Sequence, residues 1–469
     1  MNITNEKEKK LTFDKKLSWG AGGMADCLMS SAIFPLAMPI YNIALGVSPV
    51  LIGYAMAIPR IWDAFADPLV GNISDNTQSR LGRRRPYIFI GAILAGILFA
   101  LIWTPPSGLS EIGLFFYFLV LSTLFFTAYA AFAIPWNALG YELSTDYNER
   151  TNVMAYKGFL ASLASAILMP WPYKLCFMKL FGSTNEIQGV RIVGVIYGLM
   201  MILLGIIPAI FCREQISTNY QKKLSLRNGL KETFKNKAFV ILSCVMACVI
   251  IGVFLVSPLQ TYIFIFHVYK GSKADGATLS AIFQITYNIL GMAIMPLIVH
   301  YAAKWGKKRV LQIGLLMIIC GYLSTFWAFN SRYPYLALVI CFFNSPGLAC
   351  ISVLSSSMLA DICDIDELNT GYRRQGMYGG IFSWIFKVGM GAVIAISGVA
   401  VSLSGFDAAL GLNQKPQAIF YLRCYYAVAP IVVLIIAFSL TFLFPITEKQ
   451  MRQIRNVLDK RNLNKTLVA

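Results

Sequence analysis

Two aspartates in an otherwise apolar stretch are the most informative residues of this sequence. Arg60, Asp63 and Asp67 lie in IPRIWDAFADPLVG (58–71) and are spaced i, i+3 and i+7. In a helix they share one face, and the carboxylates lie about 6 Å apart along the axis. Two carboxylates this close repel each other, which favours protonation of one, and when both are ionised they offer oxygens to a hard cation. The spacing therefore predicts a site for H⁺ or Na⁺ at Asp63 and Asp67.

The composition places these charges in a membrane. The chain has 469 residues, of which 57% are hydrophobic and 13% are charged, and its mean hydropathy is +0.64. Such a composition excludes a soluble protein of this size. A charge at the centre of a membrane helix costs about 2.5 to 3.5 kcal/mol, so charges that lie deep in the apolar segments predict function. The deep charges are Asp26, Arg60, Asp63, Asp67, Lys157 and Lys387.

An unpaired charge is costly in a membrane, so we expect these six residues to meet around one interior cavity. The alternative is that they form static ion pairs that hold the helices together. This alternative applies above all to Arg60, which could simply neutralise Asp63.

Apolar segments long enough to span a bilayer recur along the whole chain and predict twelve transmembrane helices. Several exceed the length that a perpendicular helix needs, which indicates tilt. The predicted spans are 17–45, 50–73, 86–104, 111–139, 152–175, 190–211, 238–267, 276–302, 309–329, 333–361, 376–404 and 418–444.

The distribution of the basic residues explains the net charge of +18. With the N-terminus inside, most Lys and Arg fall in cytoplasmic loops, as the positive-inside rule requires. Both termini are therefore placed in the cytoplasm, and no nucleic-acid partner is needed to explain the charge. The few basic residues of the predicted outer loops are Lys174, Lys179, Arg191, Lys270, Lys273, Arg332, Lys415 and Arg423.

A repeated loop indicates an internal duplication. RLGRRR (80–85) recurs as KWGKKR (304–309), an offset of 224 residues. An offset of nearly half the chain predicts two pseudo-symmetric six-helix halves. The predicted divisions are an N-terminal half with the cation site (1–211), a cytoplasmic linker (212–237), a C-terminal half (238–444) and a cytoplasmic tail (445–469).

Three motifs resemble one transporter family. They are RIWDA-x-x-DP-x-x-G with GRRRPY after it, IPWNALGYELSTDYNERT (134–151) and LADICDIDELNTGYRRQGMYGG (359–380). Together they resemble the glycoside-pentoside-hexuronide:cation symporters, the melibiose-permease-like branch of the major facilitator superfamily. The resemblance implies an all-α membrane protein with the major facilitator fold. It also implies a monomeric symporter of the cell inner membrane, without a cofactor, that couples a sugar-like solute to a cation by alternating access.

The resemblance also bears on the coupling ion. Sodium-using members of the family add oxygen ligands from an Asn just before the second aspartate and from an Asp on helix IV. Here these positions are Ala66 and Ala133. Fewer oxygen ligands weaken a sodium site more than a protonation site, so H⁺ is favoured over Na⁺.

A substrate site is predicted around Asp26, which follows the glycine-rich WGAGG (19–23). An ionised carboxylate accepts hydrogen bonds only, so it can bind the hydroxyl groups of a sugar. The resemblance assigns substrate binding to Asp26 and Lys157. Asn137 stands where the family has an aromatic residue, and with the adjacent Trp136 it completes the predicted substrate-binding residues. Because the helix IV aspartate of galactoside carriers is Ala133 here, a melibiose-like specificity is not expected.

Two further roles follow from the resemblance. Lys387 matches a lysine of helix XI and is the deep charge of the C-terminal half, so with Arg60 it is the predicted coupling residue. Loop residues resemble the cytoplasmic gating motifs of the superfamily, although a plain positive-inside loop explains the basic ones equally well. The predicted gating residues are Asp75, Arg80, Arg84, Glu142, Arg150, Asp361 and Arg374.

Other classes of function fit the sequence less well. The chain has two histidines, His267 and His300, and neither a metal-spaced cluster nor a nucleophile motif, which argues against an enzyme. A non-transporting sensor would not need to keep the deep aspartates. A transporter of lysolipids or of another organic solute on the same fold stays open as the alternative to a sugar transporter. Apart from the solute, the expected partners are membrane lipids.

Overall fold

The computed structural model describes residues 11–77, 79–143, 147–178, 185–212, 233–370, 375–407, 410, 413–446, 450, 451, 453 and 454. Within these residues the chain forms twelve long helices and no strand. The helices are α1 (Phe13–Ser31), α2 (Pro49–Asn76), α3 (Arg85–Ile102), α4 (Glu111–Glu142), α5 (Tyr147–Ile167), α6 (Glu186–Phe211), α7 (Lys237–Phe254), α8 (Lys273–Trp305), α9 (Lys307–Ala328), α10 (Val339–Thr370), α11 (Gln375–Leu403) and α12 (Pro416–Phe442).

Each predicted span corresponds to one of these helices, so the prediction of an all-α membrane protein is confirmed. Ten helices of the described chain are long and apolar enough to cross a membrane by length and composition. The two long helices outside that set are α2 and α5. They contain Arg60, Asp63, Asp67 and Lys157, so the deep charges that predict a site also lower the hydropathy of the helices that carry them.

The chain divides into two compact units, Met1–Tyr220 and Gln221–Ala469, with the division inside segment 212–237. The first unit contains α1–α6 and the second contains α7–α12. In the first, the main helix contacts are α1 with α5 and α6, α3 with α4 and α6, and α2 with α4. The second repeats the pattern, with α7 against α11 and α12, α9 against α10 and α12, and α8 against α10. The two halves are therefore structural repeats of each other.

Small residues allow the closest helix contacts. Gly96 of α3 faces Gly198 of α6, and a Cβ on either glycine would overlap the carbonyl oxygen of the other. Helices in a membrane associate through this kind of close backbone packing, because lipid tails are as apolar as a leucine side chain.

The first helix of each half continues into a π-helical segment. After Phe34–Ala37, α1 continues as Met38–Ala44, and after Ser257–Tyr262, α7 continues as Ile263–Val268. The amides of Leu45 and Tyr269 each donate to the carbonyl five residues earlier at 3.0 Å, which is the π-helical pattern.

Basic residues of the repeated loop bind helix C-termini in both halves. Arg85 donates to the carbonyls of Ala209 (2.6 Å) and Ile210 (3.2 Å), in the last turn of α6. Lys308 donates to the carbonyls of Phe442 and Phe444, both at 3.1 Å, at the end of α12. A cation at the C-terminus of a helix satisfies its last carbonyls and opposes its dipole. Part of the basic loop therefore has a structural role in each half.

Candidate cation and substrate site in the N-terminal half

The ion pair of Arg60 and Asp63 lies at the centre of the site. Asp63 is 0% exposed, and its Oδ2 lies 3.3 Å from Nη1 of Arg60. The other end of the guanidinium donates to the carbonyl of Ser30 on α1 at 2.8 Å. The guanidinium carbon also lies 5.3 Å from the ring centroid of Phe34 and 4.7 Å from that of Phe126. Arg60 thus connects α2 to α1, to the short helix after it, and to α4.

Asp67 lies one turn after Asp63 on α2 and is half-buried, with its Oδ1 atom buried. The two alanines at the positions of additional sodium ligands, Ala66 and Ala133, are both buried. A methyl group provides no oxygen ligand. The oxygen ligands that the sequence offers in this part of α2 are therefore those of Asp63 and Asp67.

Tyr129 of α4 connects Asp26 to the ion pair. Its hydroxyl donates to Oδ1 of Asp26 at 3.0 Å, and it interacts electrostatically with Asp26, Asp63 and Arg60. Tyr129 is not among the residues predicted from the sequence. Tyr129 precedes Ala133 by four residues and Asn137 by eight, so helical spacing from those two positions could have found it.

Lys157 of α5 lies beside the residues predicted to bind substrate with it. Its ammonium donates to Oδ1 of Asn137 at 2.5 Å and lies 4.7 Å from the ring centroid of Trp136. It also interacts electrostatically with Asp26. A Cβ on Gly23 would lie 2.9 Å from the carbonyl oxygen of Lys157, so the absence of a side chain there lets α1 and α5 approach.

Trp136 is fully buried and has a structural partner. Its indole N–H donates to the carbonyl of Trp19 at 3.1 Å, and the indole of Trp19 donates to the carbonyl of Trp136 at 3.2 Å. The two rings stack at 5.2 Å between centroids, and a Cβ on Gly22 would overlap the Trp136 indole. Trp136 therefore fixes α4 against α1. The face of its ring also contacts the ammonium of Lys157 in the site.

Lys387, the predicted coupling residue of the second half, lies within α11 and is half-buried. It belongs to the second compact unit, whereas the other deep charges belong to the first.

Only some of the predicted gating residues have side chains among the described residues. Asp361 of α10 accepts a hydrogen bond from Nζ of Lys307 at 2.5 Å, and the same ammonium donates to the carbonyl of Ser357 at 3.4 Å. Arg84 is buried at the N-cap of α3, and Arg80 is exposed. The side chains of Asp75, Glu142 and Arg150 and the whole of Arg374 lie outside the described residues.

Comparison with known proteins extends over nearly the whole chain. The sequence profile of a family described as MFS/sugar transport protein matches residues 18–448. A glucuronide carrier protein homolog of Escherichia coli (strain K12) is 25% identical over 428 residues, covering 90% of each chain. Sodium-dependent lysophosphatidylcholine symporter 1 of Mus musculus is 24% identical over 493 residues, covering 97% of this chain and 89% of that protein.

The fold also matches solved structures. The crystal structure of a bacterial homolog of the human lysosomal transporter Spinster, in an inward-facing and occupied conformation, superimposes with a TM-score of 0.69 at 16% identity. The match covers 92% of this chain and 96% of that one. At this identity the likeness shows a common fold.

Proposed function

Because the chain belongs to the MFS/sugar transport family, we propose that it is a symporter that couples the movement of a sugar-like solute to a cation. The family makes the chain a multi-pass membrane transporter with the major facilitator fold, not an enzyme, and such symporters need no cofactor. The solute class that the site supports is a glycoside, pentoside or hexuronide. Transport would proceed by alternating access of a site near the middle of the membrane.

The observation that carries the proposal is the position of Tyr129. A single hydroxyl donates to Asp26, the predicted substrate carboxylate, and interacts electrostatically with Arg60 and Asp63. Binding of a cation at Asp63 can therefore alter the environment of the Asp26 carboxylate through the side chain of Tyr129. This is the physical requirement for coupling, because two ligands affect each other only through a shared coupling free energy.

The polar groups around Asp26 suit a sugar. The carboxylate of Asp26 can accept hydrogen bonds from hydroxyl groups, and the amide of Asn137 can both donate and accept. Lys157 provides an ammonium that would pair with the carboxylate of a hexuronide. The ring of Trp136 packs against that ammonium, so the ammonium is already positioned before substrate binds.

The charge of the cation site supports a single monovalent ion. Arg60, Asp63 and Asp67 together carry one net negative charge when all are ionised, so one H⁺ or one Na⁺ neutralises them. The buried methyl groups of Ala66 and Ala133 give a sodium ion fewer oxygen ligands, whereas a proton needs only one carboxylate. We therefore favour H⁺ as the coupling ion.

The remaining predicted roles complete the proposal. Lys387 is proposed to couple the state of the second half to that of the cation site. The ion pair of Asp361 and Lys307 is proposed to contribute to a cytoplasmic gate, with the loop residues predicted above. The distribution of basic residues supports the proposed location of both termini in the cytoplasm. The family resemblance supports a monomer in the plasma membrane, among membrane lipids.

The test is solute uptake by proteoliposomes. An inward pH gradient without sodium should accumulate solute, and Asp26→Asn should weaken solute binding. Asp63→Asn should instead abolish accumulation while leaving solute exchange. Asp14→Asn, at an exposed aspartate on the same helix as Asp26, is the matched control and should behave like the parent. Accumulation only under a sodium gradient would exclude H⁺ coupling, and equal loss of binding in Asp26→Asn and Asp63→Asn would exclude separate sites.

A second function is favoured by one comparison. The mouse relative is named as a sodium-dependent symporter of lysophosphatidylcholine, so a lysolipid is the alternative solute. Ligand-induced thermal stabilisation of the purified protein by hexuronates and disaccharides, compared with lysophosphatidylcholine, would separate the two. Stabilisation by the lysolipid alone would overturn the proposal of a sugar-like solute.

A further inference from the structure

A cavity lies at one end of the second half. It has a volume of about 730 Å³ and lies at the end of α9 opposite Lys307, on the side predicted to face outward. Its walls come from the end of α7, the end of α9 with the loop after it, and the start of α12. The lining residues are His267, Lys270, Phe326, Trp327, Phe329, Asn330, Ser331, Arg332 and Arg423.

Among the described residues that line this cavity, three are cations and none is acidic. Lys270, Arg332 and Arg423 are among the few basic residues of the predicted outer loops, and they come from three separate segments of the chain. Arg423 donates to the carbonyl of Phe326 at 3.1 Å, and the guanidinium of Arg332 lies 5.6 Å from the ring centroid of Tyr333. Neither these arginines nor Lys270 forms an ion pair within the described part of the chain. Like charges brought together without a counter-charge favour the binding of an anion.

The frame of the cavity is fixed by hydrogen bonds between its two loops. Nε2 of His267 lies 3.1 Å from the carbonyl oxygen of Phe329, and the hydroxyl of Ser331 donates to the carbonyl of His267 at 2.7 Å. Lys270 has a positive φ of 48°, a conformation that a residue with a side chain seldom adopts. Strain of this kind persists where surrounding contacts impose it, often at ligand-binding positions.

One wall of the cavity is apolar and continuous with the lipid-facing surface of α9. Leu323, Phe326 and Trp327 are spaced i, i+3 and i+4, and they are 49%, 49% and 54% exposed. Tryptophan is enriched where the hydrocarbon meets the headgroups of a bilayer. An anion that binds here would therefore meet cations on one side and exposed hydrocarbon on the other.

We propose that this cavity binds the phosphate of a phospholipid headgroup, with the acyl chains lying along Leu323, Phe326 and Trp327. The chemistry required is a phosphate, which either a lipid or free inorganic phosphate could supply. The apolar wall favours the lipid. The cavity belongs to the second half, whereas the candidate cation-binding and substrate-binding residues belong to the first.

Calorimetric titration of the full-length protein in detergent with short-chain phosphatidylglycerol, below its own micelle concentration, tests the proposal. The comparison ligands are inorganic phosphate and short-chain phosphatidylcholine. We expect phosphatidylglycerol to bind most tightly. Lys270→Gln and Arg332→Gln should each weaken its binding about fivefold, the usual effect of one basic residue at a lipid surface, and raised salt should weaken it further.

Lys415→Gln is the matched control, because Lys415 is an exposed lysine of the predicted outer side that does not line the cavity. It should leave phosphatidylglycerol binding unchanged. Equal effects of Lys270→Gln and Lys415→Gln would reduce the interaction to general surface charge and overturn the site. Inorganic phosphate binding as tightly as the lipid would overturn the role of the apolar wall, and absence of phosphatidylglycerol binding would overturn the proposal entirely.

Discussion

Arg60 and Asp63 should make unequal contributions to stability although they form one ion pair. Arg60→Met removes the ion pair, the hydrogen bond to the carbonyl of Ser30 and the contacts with the rings of Phe34 and Phe126. It also leaves the fully buried carboxylate of Asp63 without the guanidinium beside it. Asp63→Asn also removes the ion pair, but the guanidinium keeps its contacts with Ser30, Phe34 and Phe126.

The expected magnitudes follow from these contacts. Breaking a buried ion pair by removing one partner costs about 3 to 5 kcal/mol when the other charge stays buried, and this is the expected loss for Arg60→Met. The hydrogen bond to Ser30 is worth about 1.5 to 3 kcal/mol, and each ring contact about 0.5 to 1 kcal/mol. Asp63→Asn keeps all three contacts, its amide oxygen can still accept a hydrogen bond from the guanidinium, and the Arg60 side chain is 13% exposed whereas that of Asp63 is 0% exposed. Its expected loss is therefore smaller, about 1 to 2 kcal/mol. The double variant should lose less than the sum of the two single variants.

The assay is thermal unfolding of the purified protein in detergent, followed by circular dichroism. A difference of about 2 to 3 kcal/mol in a unit of this size corresponds to roughly 4 to 12 °C, so the order of the two variants should be clear. Leu69→Ile, at an exposed residue of α2, controls for general perturbation of that helix. If Asp63→Asn lowered the unfolding temperature as much as Arg60→Met, or if the two losses were additive, the account of Arg60 as the connector of three segments would be wrong.

Three further predictions concern function and orientation. Tyr129→Phe should weaken solute binding about tenfold or more and reduce its dependence on the ion, because it removes a hydrogen bond to a charged group; unchanged binding in uptake and titration assays would refute this. Lys387→Met should shrink the ratio of solute dissociation constants measured with and without saturating ion, and an unchanged ratio would remove this lysine from coupling. Burial raises the pKa of Cys212 to about 11, so at neutral pH this thiol should resist maleimides from either side of the membrane. Reporter cysteines should instead decide the orientation: an impermeant maleimide should label Ser107→Cys and not Leu81→Cys in intact cells, and the reverse result would invert the topology.

The sequence predicts the fold well because its signals are strong and local. Twelve long apolar segments and the repeated basic loop are readable without neighbours in space, and each corresponds to an observed helix or helix start. Tyr129 was missed because a tyrosine in a helix rich in phenylalanine belongs to no motif, and only its helical spacing from Ala133 and Asn137 indicates the site. The reciprocal hydrogen bonds of Trp19 and Trp136 were missed for a related reason, since they join residues 117 positions apart. Trp136 could be placed near the site from its motif, but its structural partner could not.

The cavity of the second half shows the same limit. Lys270, Arg332 and Arg423 appear in the sequence as isolated outer charges, and only the packing of α7, α9 and α12 brings them to one place. In contrast, the glycine-rich start of α1 is a clear local pattern in the sequence. It indicates room beside the helix, and α5 approaches α1 closely at Gly23.

The two π-helical segments carry information about ancestry. A π turn takes up about one residue more than the α turn it replaces, so inserting a single residue into a helix can produce one. Met38–Ala44 and Ile263–Val268 end at residues separated by 224 positions, the offset of the repeated basic loops. One insertion in a single ancestral six-helix gene, made before that gene was duplicated and fused, accounts for both segments. Two independent insertions at equivalent places would be needed if duplication came first.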